Sequence, residues 1–290
     1  MPELPEVEVV RSGLARQLIG KTFAQIKVLH PRALRNYHGP KKHFVNNLVG
    51  KTILDVRRRG KFLWFVLDEQ KWVLSAHLGM SGQFLFIEEL VTRPRHARAI
   101  FEFSNWNQKL VFSDQRTFGW VNLEPVILDS NKKPIPASVK KIQPDLFSPD
   151  FNETKTIENL SRRSVGIKSA LLNQELISGV GNIYADEALW YAKLDWKTPA
   201  NQVSLAQYQA LLAAIKKVMK KALQQGGTSF DELYVNVNGE SGYFEQSLRA
   251  YGRAGQLCYR CKTKLIRENF GVGRGSTRCP QCQKRKSTNR

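Results

Sequence analysis

The chain begins Met1-Pro2-Glu3-Leu4-Pro5-Glu6, and it carries all four of its cysteines as two CxxC pairs near the other end. Removal of an initiator methionine before a small residue would expose Pro2 as a secondary amine. An α-amino group titrates at roughly 7.7–8.0, so a useful fraction is uncharged at neutral pH. Such an amine can attack a sugar C1′ and form an iminium, as lysine does in Schiff-base chemistry. Glu3 and Glu6 lie three apart beside it. From a turn, both carboxylates can point near the amine and shuttle protons during ring opening. Taken alone, these six residues also make an ordinary helix start, with proline at N1 and acids facing the dipole, and on six residues that plainer reading is the stronger.

Cys258-x2-Cys261 and Cys279-x2-Cys282 are separated by 17 residues. That spacing fits a four-thiolate zinc signature. Each CxxC brings two thiolates to one side of a tight turn, and two such turns complete a closed tetrahedron. A closed site leaves no position for water, so one structural Zn2+ is expected. Between the pairs, Gly271-Val272-Gly273-Arg274-Gly275 offers a glycine-rich turn bearing an arginine, suited to close approach to a phosphate. It lacks the strand and helix that a dinucleotide-binding glycine loop requires.

The partners follow from charge. Lys and Arg total 45 against 25 Asp and Glu, for a net charge of +20. A basic surface of this size is the footprint of a nucleic-acid binder, although anionic membranes attract it too. The longest apolar runs, such as 62–67 and 84–87, fall far short of the ~20 residues that span a bilayer. The opening has neither a basic nor an apolar segment of a signal peptide, so a cytoplasmic location is expected. Cysteines in that reducing setting point to metal or catalysis rather than to disulfides.

The elements that must position these groups fall into two textures. Residues 6–20 predict a helix with Val7, Val10, Leu14 and Leu18 on one stripe. Short β-branched or aromatic runs at 51–58, 61–67, 71–77, 83–87, 98–103 and 109–112 predict a sandwich or barrel. The Pro-, Asp- and Lys-rich stretch 125–156 predicts a surface linker. From 157 to 225 the texture is helical, with Ser204 capping a long helix that Gly226-Gly227 ends. Its stripe is Leu205, Tyr208, Leu212, Ile215, Met219 and Leu223. Lys216, Lys217, Lys220 and Lys221 crowd its later turns and read as a solvated face. Residues 236–256 look like loop, and 283–290 make a basic tail.

Across the whole chain the sequence resembles the bacterial formamidopyrimidine-DNA glycosylase/endonuclease VIII family. The segments that carry the likeness are Met1–Glu8, Arg59-Gly60-Lys61-Phe62-Leu63, His77-Leu78-Gly79-Met80-Ser81-Gly82, Asp114-Gln115-Arg116-Thr117-Phe118-Gly119 and Ile177–Glu187, followed by the four-cysteine finger. The resemblance implies an α+β fold. An N-terminal helix and two-sheet β-sandwich would form a catalytic domain (1–124), followed by the linker (125–156). A helix-two-turn-helix domain (157–247), a β-hairpin zinc finger (248–284) and the basic tail (285–290) would complete the chain.

The resemblance also implies roles. Pro2 would be the nucleophile at C1′, Glu3 the acid that protonates the ring oxygen, and Glu6 a brace for the N-terminal arm. Lys61 would hold a phosphate and assist β-elimination, and Arg274 would bind phosphate and aid δ-elimination. Met80, Arg116 and Phe118 would fill the void left by a flipped base, two apolar wedges and one hydrogen-bonding side chain. His77, His96, Arg163, Lys168 and Asn182 would position phosphates. The implied activity is base-excision repair by a monomer acting on damaged double-stranded DNA. It would remove 8-oxoguanine and formamidopyrimidines, with β,δ-elimination of the strand, and the endonuclease VIII preference for oxidised pyrimidines is the alternative. Gln115 and Thr117 depart from the proline or basic residue common among relatives. The loop 228–243 would cover the flipped base.

Overall fold

A computed structural model describes residues 2–69, 71–88, 94–227, 237, 242–271 and 273–285. The chain divides into two compact units. One comprises 1–141 together with 226–243, and the other comprises 142–225 together with 244–290. Among the described residues no helix is long and apolar enough to cross a membrane.

The first unit starts with α1 (Leu4–Leu18), two residues earlier than the apolar stripe suggests. The reason is local. Glu3 is the N-cap, its N–H donates to Glu6 Oε2 at 2.9 Å, and the two form a capping box with Pro5 in the first turn. Val7, Val10, Leu14 and Leu18 are buried as expected, and Gly20, at φ +84°, lets the chain turn away. The helix is followed by β1 (Phe23–Val28), the short α2 (Lys41–Asn46), β2 (Ile53–Arg59), β3 (Phe62–Leu67), β4 (Trp72–His77), β5 (Gly82–Ile87), β6 (Ala97–Phe103), β7 (Lys109–Asp114), β8 (Trp120–Leu128) and β9 (Pro134–Pro136).

These strands form two antiparallel sheets, ordered β2-β3-β4-β8-β9 and β1-β6-β7-β5. Phe23, Phe65, Phe84, Phe101 and Phe112 fill the core with the inward stripe of α1. β1 and β8 escape the sequence pattern. The expected linker at 125–156 also begins inside the sheet. β8 runs through Pro125 to Leu128, and its last three residues pair with β9. Pro125 is tolerated at the point where the ladder passes from β4 to β9.

The second unit contains α3 (Glu153–Ser161), α4 (Ile167–Leu172), α5 (Asn182–Ala192) and α6 (Leu205–Gln224), then the β10 (Ile266–Asn269) and β11 (Gly275–Arg278) hairpin. α5 is buried on nearly every side, from Ile183 to Trp190. α6 carries the predicted Ser204 cap, completed into a capping box by Gln207. Its buried stripe begins at Tyr208, because Leu205 is exposed, and the four lysines face solvent. Of the basic tail at 285–290, only Arg285 is among the described residues.

Candidate functional site

At the N-terminus Pro2 is buried, and so are Glu3 and Glu6. The Glu6 carboxylate reaches back to the Glu3 N–H, which fixes the turn that carries the amine end. Gly227 lies against Glu6. A Cβ there would sit 3.2 Å from Glu6 Oε1. One helical turn on, Glu8 accepts from Arg11 Nη2 at 2.7 Å and from Arg58 Nε at 2.9 Å. Burial acts to raise the Glu8 carboxyl, but the two guanidiniums outweigh it and hold it below the ordinary carboxylate range. Arg58 also donates to Gly60 O at 2.9 Å. The start of α1 is thereby tied to the β2–β3 turn that bears Lys61.

Lys61 is buried, and Phe62 beside it pairs across the ladder with His77. The imidazole lies against Phe62 and stacks on Trp120. Its desolvation, with the nearby Lys61 charge, pushes the His77 pKa down to about 4. Nδ1 accepts the Gly79 N–H at 3.0 Å. The ring is therefore neutral near pH 7, with its proton on Nε2 as a donor. Lys61 and His77 give one strand end a cation and a neutral donor, a pair suited to a phosphate.

Met80, Arg116 and Phe118 are brought together on exposed turns of the same unit. Arg116 Nη1 stands 3.9 Å from Met80 Sδ, and Met80 and Phe118 are 38% and 47% exposed. Buried Asp114 organises both turns. It accepts Ser81 Oγ at 2.6 Å and Gly119 N at 2.7 Å, and Ser81 Oγ in turn accepts Arg116 N at 3.0 Å. Arg35 donates to the carbonyls of Thr117 and Phe118 at 3.1 and 3.2 Å. Gly79 allows the closest approach of the two turns, since a Cβ there would lie 2.5 Å from Gly119 N. Apolar side chains held out into solvent on such a frame suit a wedge. His96 is half-buried, and its carbonyl accepts Asp114 N at 2.9 Å, which places it beside this turn.

The second unit holds the other predicted contacts. Arg163 is exposed just after α3. Asn182, at the start of α5, donates through Nδ2 to Gly275 O at 3.2 Å. Arg274 is exposed in the β10–β11 turn. Lys168 departs from the expectation of a phosphate contact. It is fully buried, with Nζ 2.6 Å from Asp186 and over the Phe270 ring. Its neighbours make it an internal counter-ion, and the low exposure keeps its ammonium from a surface phosphate in this conformation.

Asp186 also accepts Ser276 Oγ and Thr277 N, each at 2.8 Å, and Glu187 accepts the backbone N–H groups of Arg249, Ala250 and Tyr251. Neither acid is among the candidate site residues read from the sequence. Their signal was available, two adjacent carboxylates inside an otherwise apolar helix. The sulfurs of Cys258, Cys261, Cys279 and Cys282 lie within 4.8 Å of one another and could hold a metal ion. Trp190 Nε1 donates to Cys258 Sγ at 3.4 Å, and Gln283 Oε1 accepts Cys279 N at 2.8 Å, so the cluster is braced from outside.

Residues 1–121 match the formamidopyrimidine-DNA glycosylase N-terminal domain, and residues 142–232 match the formamidopyrimidine-DNA glycosylase H2TH domain. A formamidopyrimidine-DNA glycosylase of Acidothermus cellulolyticus is 52% identical over 283 residues, covering 98% of this chain and 97% of its own length. The chain belongs to the formamidopyrimidine-DNA glycosylase family. Another member, from Corynebacterium glutamicum, is 47% identical over 293 residues, with 99% of this chain and all of the relative covered. Among solved structures, a complex of the Lactococcus lactis enzyme with abasic-site DNA shares the fold at a TM-score of 0.84 and 31% identity, over 98% of this chain and 100% of that one. A mutant of the Lactococcus enzyme with Fapy-dG-containing DNA gives 0.85 and 32%, with the same coverage. The α+β fold with an H2TH domain and a clustered four-cysteine finger is thus that of a DNA glycosylase family, and the named glycosylase relatives make this chain an enzyme of that kind.

Proposed function

We propose that this glycosylase removes oxidised purines from duplex DNA through a covalent intermediate on Pro2, and then cleaves the strand at the resulting abasic site. The observation that carries the reading is the sheltered N-terminus, where Pro2 and Glu3 are buried together and the Glu6 carboxylate braces the turn between them. The Pro2 nitrogen attacks C1′, and the bond to the base breaks with its electron pair leaving on the base. The attacking nitrogen gives up its N–H proton to the departing base, Glu3 gives a proton to the ring oxygen as the sugar opens, and the freed nitrogen lone pair closes the iminium. Loss of a C2′ proton then expels the 3′ phosphate, and a second elimination expels the 5′ phosphate, with Lys61 and Arg274 against the phosphates. Relatives support the substrate class. A MutM structure holds carbocyclic 8-oxo-G DNA, and a Lactococcus complex holds Fapy-dG.

The base leaves its stack for this chemistry, and Met80, Arg116 and Phe118 fill the gap. The finger holds Zn2+ on Cys258, Cys261, Cys279 and Cys282. The pairwise Sγ distances of 4.0 Å (Cys258–Cys282) and 3.3 Å (Cys261–Cys279) bracket the roughly 3.8 Å that tetrahedral 2.3 Å bonds require. That ion supplies folding energy and takes no part in the reaction. A monomer working in the reducing cytoplasm fits four cysteines committed to one metal.

The test is borohydride trapping. Protein with an unblocked Pro2, mixed with an 8-oxoguanine duplex, is expected to yield a covalent adduct, and Pro2→Gly is expected to lose most excision while still binding DNA. No adduct from such a preparation would sink the mechanism.

A further inference from the structure

Three consecutive arginines end β2, and they meet different partners. Successive residues of a strand point to opposite faces, so Arg57 and Arg59 leave β2 on one side and Arg58 on the other. Arg57 pairs with Asp55 at 2.8 Å, and Arg59 with Asp129 at 2.7 Å. Arg58 turns to α1, and its side chain is only 7% exposed. A guanidinium so sheltered calls for an acidic partner. Glu8 supplies it, with Oε2 2.9 Å from Arg58 Nε.

Arg58 shares this carboxylate with Arg11, whose Nε lies 3.0 Å from both oxygens and whose Nη2 lies 2.7 Å from Oε1. Each guanidinium then reaches on to the backbone of β2 or its turn. Arg11 Nη1 donates to Val56 O at 3.0 Å, and Arg58 Nη1 to Gly60 O at 2.9 Å. One carboxylate thus clamps α1 to β2 at two points, and the second point is the residue before Lys61. Gly60, at φ +58°, makes the turn that leads through Lys61 into β3. The stripe of Val7, Val10 and Leu14 presses α1 onto the core, but apolar burial is non-directional. The hydrogen bonds of Glu8 are directional, and they fix how far along its axis the helix sits.

We propose that Glu8 is a positioning residue for strand cleavage. Through Arg58 it registers the Lys61 turn to the helix end that bears Pro2 and Glu3. The proposal rests on the roles of Pro2 and Lys61 given above. While Pro2 is joined to C1′, the 3′ phosphate of the same nucleotide lies a fixed few bonds away. The amine end and Lys61 must therefore keep one spacing for elimination to proceed. Forming the iminium needs Pro2 and Glu3, whose own turn Glu6 braces.

Glu8→Gln keeps the shape of the side chain and removes the charge that holds both guanidiniums. On an abasic-site duplex in single turnover, strand cleavage should slow by about tenfold or more. The fraction of protein trapped by borohydride should equal or exceed the parent's, because the uncut covalent intermediate accumulates. A loss of stability alone would lower both together. Arg58→Lys keeps a cation for Glu8 but lacks the fork that reaches Glu8 and Gly60 O at once, so it should show the same split. Because Glu8 acts through Arg58, Glu8→Gln/Arg58→Lys should cleave within about twofold of the slower single variant. Should Glu8→Gln fail to melt cooperatively, Arg58→Lys carries the same test. Cleavage by the folded variants at the parent's rate, parallel loss of trapping and cleavage, or losses that multiply in the double variant would each overturn the proposal. A parent protein with an unblocked Pro2 that never traps would overturn the Pro2 reading, and the proposal with it. A parent that traps and cleaves beside variants that match it overturns the proposal alone.

Discussion

Asp114 in the sandwich unit accepts Ser81 Oγ and Gly119 N, while Asp186 in the helical unit accepts Lys168 Nζ, Ser276 Oγ and Thr277 N. Both carboxylates are about 1% exposed, and each ties a turn to the element behind it. The turns they hold differ in what stabilises them otherwise. The Asp114 turns stand on a sandwich with a large aromatic core, so hydrogen bonds need only aim Met80, Arg116 and Phe118. The β10–β11 hairpin has two four-residue strands and a core cluster made largely of its own cysteines with Trp190, Ala250 and Leu265. A hairpin of that size is marginal in water. Its four clustered cysteines could hold a metal ion, and buried Asp186 and Lys168 tie its turn to the helix behind it. The comparison teaches that a large apolar core stands behind one site, while the other has little core and relies on buried charge and on cysteines placed to take a metal.

Removing the metal should separate the two regions most sharply. Binding of a structural zinc is worth roughly 10–16 kcal/mol in small finger peptides, and most of that is folding free energy. Cys258→Ser/Cys279→Ser, or exhaustive chelation, should unfold the hairpin and abolish tight binding to an abasic-site duplex in fluorescence anisotropy. The sandwich should keep its near-ultraviolet signature. Retained tight binding by metal-free protein would show that the hairpin stands without ligation.

The next effect is at Lys168. Truncating one partner of a buried ion pair leaves the other uncompensated, at about 3–5 kcal/mol. Lys168→Met should therefore lower the melting temperature of the free protein, before DNA is present. Arg163→Ala, at an exposed side chain, should leave the melt unchanged and reduce the salt slope of DNA binding by roughly 0.9. If Lys168→Met melts normally and loses one unit of salt slope, Lys168 reaches a phosphate after all.

The contrast also explains what the sequence made legible. Periodicity located α1 and α6 because each buries one face, and six strands were legible as short β-branched or aromatic runs, several of them buried on both faces. β8 was hidden because Pro125 and its neighbours read as turn, while its pairing with β4 and β9 is a long-range matter. The cysteine pairs and Pro2 with Glu3 and Glu6 were visible as types at fixed spacing, whereas Met80, Arg116 and Phe118 were singled out only by the family resemblance. The burial of Lys168 was not legible, because sequence shows a charge and not its surroundings, and its partner Asp186 lies 18 residues away.

The smallest expected effect tests the sandwich side. Asp114→Asn keeps the shape of the carboxylate but loses one acceptor oxygen and the charge that strengthens both hydrogen bonds. Hydrogen bonds to charged groups are worth about 1.5–3 kcal/mol, and the cost here falls on two exposed turns rather than on the core. The melt should shift only modestly, since Phe84, Phe101 and Phe112 are untouched. What should suffer is aim. Ser81 loses its charged partner and with it the hold on Arg116 N, so the three wedge side chains lose a common frame. A wedge matters where a departing base leaves an orphaned partner, so kcat/KM should fall on a duplex lesion and much less on the same lesion in a single strand. Equal losses on the two substrates would mean that Asp114 supports the reacting centre itself. A large drop in melting temperature would erase the difference drawn between the two regions.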